Sequence, residues 1–290
     1  MRRPISSSGW SSNSEFFMET KVEIAPAIGK LYEPPGKCIY CGKDAASNTM
    51  TDEHILAYGL GGNAVFDDAS CKCCAKMTGR FEQICLRNLL IQSRTHLGIQ
   101  TRRPKQRPDK LPVGVKEKSD DDNLNWLTVP VREHPFAIVL PVLEPPGFLV
   151  GRAPQRDFKL LAISSWQSPG YLERAAKIGK GKGVATLVRF ESSSFARTLA
   201  KTAHAFVAAE LGLANFTPLI LATVFGTEEY MPSYVGSADL PPTKTGHLHL
   251  LELRFPNPGQ EFISVMLRLF AKYELPAYEV IVGRPLSKQI

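Results

Sequence analysis

The sequence predicts an α+β protein: a small module of two strands and a helix built on four cysteines, then a separate α+β domain. Three observations carry this expectation. Two CxxC pairs, Cys38 with Cys41 and Cys71 with Cys74, bracket a short strand-like and glycine-rich segment. A run with helical spacing follows the second pair directly. Beyond a basic, proline-containing stretch, strand-like segments alternate around one clear helix.

Residues 1–30 are polar and serine-rich, with little to bury, and are expected to form a disordered tail. A turn at Pro34, Pro35 and Gly36 delivers the first cysteine pair. Residues 48–55 read as a strand and 58–63 as a glycine loop. The spacing predicts a helix from just after Cys71 to about Leu97, because Phe81, Ile84, Cys85, Leu89 and Leu90 recur near one face and Gly98 can close it. These elements make a ββα module over 31–103. Residues 104–125, rich in Pro, Lys and Asp, read as a basic linker.

The remaining 126–290 form the α+β domain, of unknown role. Residues 136–140 are apolar but flanked by prolines, and 183–190 alternate as a strand should. The clearest helix is 194–211, with Leu199, Ala203 and Phe206 on one stripe and Gly212 behind it. Residues 247–255, 262–270 and 278–282 read as strands.

The composition is that of a globular chain: 290 residues, 43% hydrophobic and 22% charged. No apolar run reaches roughly 18 residues, so no membrane span or membrane partner is expected. The first residues lack the apolar core of a secretory signal. An intracellular, cytoplasmic location is therefore expected, and there CxxC pairs favour metal over disulfides. Cys73 and Cys85 read as spare thiols. The net charge of +7 permits a polyanionic partner. Basic residues concentrate at Arg94, Arg102, Arg103, Lys105, Arg107, Lys110, Lys116 and Lys118, against only Asp109 and Glu117. Of these, Arg94, Arg102, Arg103, Lys105 and Arg107 are the candidates for phosphate contact.

Two CxxC turns offer a tetrahedral thiolate site for structural zinc. Between them lie Thr51, Asp52, Glu53 and His54. Imidazole accepts a proton near neutral pH, and Glu53 or Asp52 offers the hard oxygen that Mg2+ or Mn2+ prefers. Adjacent strand residues point to opposite faces, so Glu53 and His54 converge only if the strand bends or ends there. Gly59, Gly61 and Gly62 allow such a bend and a close phosphate approach. The other histidines have simpler readings: His96 near a helix end, His134 in a loop, His204 satisfied within its helix. His247 and His249 share a strand face without a third ligand.

These residues together resemble the HNH (His-Asn-His) endonuclease family, in its subgroup with a four-cysteine zinc site. The likeness covers Cys38 and Cys41, then Asp52 through Ile55, then Leu60, Gly61 and Gly62, then Cys71 and Cys74. It implies structural zinc on the four cysteines, His54 as general base, Glu53 on a catalytic divalent ion, and hydrolysis of nucleic-acid phosphodiesters, DNA above all. The family position after the last cysteine, normally Asn or His, is Ala75 here, and one turn on is Gly79. Asn63, Asp67 and Asp68 are the expected substitutes, with Asp68 assigned to the ion. Glu82 lies about 10 Å further along the helix axis than Ala75. A zinc-stabilised module that binds nucleic acid without cutting is the alternative.

Overall fold

The computed structural model describes residues 20–24, 29–116, 124–180, 182–186, 188–241, 243–256 and 261–286, with side chains from residue 29 onward. In chain order, β1 (Thr20–Ile24), β2 (Leu31–Tyr32), β3 (Met50–His54) and β4 (Val65–Cys71) precede α1 (Lys72–Arg87) and α2 (Ile91–His96). Next come β5 (Lys110–Lys116), β6 (Leu124–Pro130), β7 (Ala137–Leu143), β8 (Leu160–Gln167), α3 (Tyr171–Gly179) and β9 (Val184–Thr186). The long helix α4 (Ser192–Leu211) leads to β10 (Phe216–Pro218), α5 (Leu221–Phe225), β11 (Val235–Ala238), β12 (His249–Arg254), β13 (Ile263–Leu269) and β14 (Ala277–Pro285). The class is α+β, as expected.

In the N-terminal module, β3 pairs antiparallel with β4, Met50 opposite Cys71 and His54 opposite Val65. The short β2 adds a parallel edge to β4. Strand β4 ends on Cys71, which is also the N-cap residue of α1. The expected single helix is two. Leu89 and Leu90 are both buried, yet adjacent residues on a straight helix point about 100° apart. A break at Asn88, with φ −103° and ψ −82°, turns both inward before α2 begins.

The main sheet runs β1-β12-β13-β14-β10, with β11 also on β14, and every pairing is antiparallel. Helix α4 packs on β13 and β14 with one side and on α1 with the other. Between Ser194 and Ala208 every residue except Arg197 is buried, as befits a helix enclosed on all sides. Glu191 caps it, its carboxylate accepting from the Ser193 and Ser194 amides at 3.0 and 2.6 Å. Against the sheet, the Phe195 ring meets Tyr278 edge-on at 5.1 Å.

Three boundaries differ from expectation. Residues 110–116, inside the expected linker, form β5, which pairs with β6 and β9. Leu111, Val113 and Val115 are buried there on one face, a strand signal masked in the sequence by Pro112 and the flanking lysines. Residues 20–24, inside the expected tail, form β1 along β12; residues 1–19 and 25–28 lie outside the described residues. The strand expected over 183–190 is described only as β9, and Leu187 also lies outside.

The second half of the chain grips the module through buried histidines. His204 on α4 bonds the Ile39 carbonyl through Nε2 at 2.7 Å. His249 on β12 accepts the Phe270 amide at Nδ1, 3.2 Å, which leaves Nε2 to donate to the Leu60 carbonyl at 2.8 Å. Burial pushes both imidazoles down to about 4. A free imidazole titrates near 6.5, so between roughly 6.5 and 4 the unfolded chain binds protons that the folded chain refuses. Stability therefore falls as pH is lowered through that window, by on the order of 3 kcal/mol per imidazole. Urea midpoints of the zinc-loaded protein should drop between about pH 7 and pH 4.5. The drop should be shallower in His249→Asn, which keeps a donor but cannot titrate; equal slopes would refute this assignment.

Candidate functional site

The first cysteine pair sits in a tight turn. The Cys38 amide donates to the Lys43 carbonyl at 2.8 Å, and Gly42, at φ +73°, donates back to the Cys38 carbonyl at 2.9 Å. The Ile39 amide donates to the Ala69 carbonyl at 2.9 Å, which pins this turn to the strand ending at Cys71. All four sulfurs consequently lie within 4.8 Å of one another, with Cys41 Sγ and Cys71 Sγ at 3.7 Å. A tetrahedron with zinc–sulfur bonds of about 2.3 Å has edges of about 3.8 Å, so the cluster fits zinc. Burial raises the Cys38 thiol. It opposes ionisation of Cys71 too, but hydrogen bonds at the start of α1, from the Cys74 backbone first, bring that thiol down to about 7. Cys73 is exposed and Cys85 buried, both outside the cluster.

Beside this centre lies a cleft of about 1010 Å³. Its walls are the end of β3 with Glu53 and His54, the loop at Tyr58 and Gly59, the face of α1 carrying Ala75, Gly79, Glu82 and Arg87, and residues 101–103 and 106–108. His54 is half-buried, its ring edge-on to Tyr58 at 5.4 Å. Burial lowers its pKa, and Arg102 and Lys201 add to the effect, so it is neutral at pH 7.

The basic candidates divide. Arg102, Arg103 and Arg107 line the cleft; Arg102 and Arg103 are exposed, and Arg102 sits 5.9 Å from the Tyr58 ring centre. Lys105 is exposed but does not line it. Arg94 lines it too, yet its guanidinium is committed inward, donating to the Gly59 carbonyl at 2.5 Å and the Leu86 carbonyl at 3.1 Å. Arg107 likewise donates to the Ile99 carbonyl. Gly59 lines the cleft, but Gly59 and Gly62 are each packed against the protein. A Cβ on Gly62 would stand 1.9 Å from the Leu56 carbonyl oxygen, and one on Gly59 would stand 2.9 Å from Leu86.

The acidic set differs most from expectation. Asp68 is exposed and occupies a bulge of β4 at φ +44°, where its amide donates to Asp52 Oδ1 at 3.3 Å. Asn63, Asp67 and Asp68 are not among the residues lining the cleft. Glu82, set aside on axial distance, is the carboxylate that meets Glu53. Helical side chains lean toward the N-terminus, which recovers part of that distance.

What the two carboxylates share is Lys201 of α4. Its Nζ lies 2.5 Å from Glu53 Oε1 and 3.0 Å from Glu82 Oε1, and donates to the His54 and Ile55 carbonyls at 2.5 and 3.4 Å. Burial alone would lower the Lys201 pKa, but the carboxylates overcome it and hold the ammonium charged. Burial raises Glu53, with Lys201 opposing. The donors expected for a divalent ion therefore do not fit one: Glu53 and Glu82 already hold a cation, Ala75 and Gly79 offer no ligand atom, and Asp68 faces elsewhere. Lys201 was missed in the sequence. Its signal is a polar stripe, Arg197, Lys201 and His204, on an otherwise apolar helix, where buried cations require partners.

Residues 38–88 match the family model of the HNH endonucleases, the segment that carries the four clustered cysteines, His54 and α1. Comparison with curated proteins and with solved structures found no match.

If the four thiolates hold zinc, the isolated protein should contain about one zinc per chain by elemental analysis. Cys74→Ser should lose the metal together with cooperative unfolding, because binding energy in such centres is folding energy. Full zinc content in Cys74→Ser would refute the ligand set.

Proposed function

We propose that the cleft hydrolyses phosphodiester bonds of nucleic acid, DNA being the expected substrate. The observation that carries this reading is that a neutral, half-buried His54 from an HNH-matching segment and the exposed Arg102 and Arg103 line one cleft. The arginines hold the backbone phosphates. His54 takes a proton from water; the resulting hydroxide oxygen bonds to phosphorus. The bond from phosphorus to the leaving oxygen breaks, and that oxygen takes a proton from solvent.

A second reading has an observation of its own. With Ala75 in the helix and Lys201 between the carboxylates, the same cleft is equipped to bind a nucleic-acid backbone without cutting it.

Plasmid cleavage separates the two readings. On the first, His54→Ala abolishes nicking while binding persists, and the acid limb of the pH profile falls below 6.5 because the base must be neutral. Cleavage that survives His54→Ala excludes the mechanism. Salt-sensitive binding with no cleavage by the unmodified chain supports the second reading.

On either reading, Arg102→Ala with Arg103→Ala should weaken DNA binding across sequences. The slope of log affinity against log salt should shrink by about 2 for duplex DNA, close to one for each phosphate no longer neutralised. An unchanged slope would remove these arginines from the interface.

A further inference from the structure

We propose that the ammonium of Lys201 is the resident cation of this site, standing where a divalent ion would otherwise sit between Glu53 and Glu82 and excluding it. Four oxygens surround Nζ: Glu53 Oε1 at 2.5 Å, Glu82 Oε1 at 3.0 Å, and the His54 and Ile55 carbonyls at 2.5 and 3.4 Å. Carboxylates and carbonyls of this kind are the hard donors that Mg2+ and Mn2+ select. Here they converge on nitrogen. The side chains of Lys201 and Glu53 are 1% and 6% exposed, so the charge is enclosed and its partners are fixed.

Geometry and chain connectivity both favour the lysine over a free ion. Its stem is held in α4, the most enclosed helix of the fold, so the ammonium is delivered by folding at no cost in association. A divalent ion entering between the carboxylates would have to displace Nζ, leaving a buried ammonium with carbonyl oxygens alone. An uncompensated buried charge is among the most destabilising changes a protein can suffer. On the α1 face that lines the cleft, Ala75 and Gly79 have no ligand atom. The substitution is thus two-sided: a cation supplied from α4, and side chains without ligand atoms at positions 75 and 79 of α1.

The test is Mn2+ binding to the full-length, zinc-loaded chain, read by electron paramagnetic resonance, a readout that does not require cleavage. The unmodified chain and Glu82→Gln should give the same titration, because Glu82 holds no Mn2+ in either. Lys201→Met, which keeps the apolar stem and removes the charge, should gain one bound Mn2+ per chain, and Lys201→Met with Glu82→Gln should lose it again. Mn2+ bound by the unmodified chain and lost in Glu82→Gln would overturn the proposal. So would a Lys201→Met protein that keeps its zinc and its unfolding midpoint yet gains no Mn2+. If Lys201→Met does not fold, the comparison of the unmodified chain with Glu82→Gln decides alone: coincident titrations uphold the proposal, and divergent ones refute it.

Discussion

A charged amine with 1% of its side chain exposed survives in a folded protein only where its charge is met, and Lys201 is met entirely by the N-terminal module. That requirement ties the two halves of the chain together. It places Glu53 at the end of β3, Glu82 on α1 and the carbonyls that follow the β3 strand around a single point on α4. His204, one turn further along α4, bonds the first cysteine turn, and Arg197, one turn earlier, lies 4.5 Å over the Phe81 ring of α1. The spacing of Arg197, Lys201 and His204 puts all three on one face of the helix. The opposite face lies on the main sheet, where Phe195 meets Tyr278. The cysteine module is therefore not a bead on a string but one wall of a shared core, continuous through α4 to β13 and β14.

The four-cysteine cluster and the cleft lie side by side. Four sulfurs fix the first turn against the N-terminus of α1, so the strand between them must carry His54 to the edge of α1. The glycine loop then folds back on itself, leaving Gly62 against the Leu56 carbonyl and Arg94 locked to Gly59. Two of the five basic candidates, Arg94 and Arg107, are taken up by this architecture. Arg102 and Arg103 remain exposed in the cleft that His54 also lines, where charge can act on a ligand.

Much of this was legible in the residues. The sequence by itself located the four-cysteine cluster, because two CxxC pairs at this spacing read as one site, and the strand–loop–helix order of residues 38–88. It also located α4 within two residues, since an apolar helix ended by Gly212 is a strong local signal. What it could not supply were pairings between residues more than a hundred positions apart. The ion pairs of Glu53 and Glu82 with Lys201 were hidden because that lysine lies in another half of the chain, and Glu82 looked too distant because axial rise ignores how long side chains lean. Strand β5 was hidden by Pro112 and lysines, whose charge resembles that of a linker until the burial of Leu111, Val113 and Val115 is seen. Only the tertiary structure decided which cation the carboxylates hold, because that choice depends on docking α4 against α1, a packing constraint that no local pattern encodes.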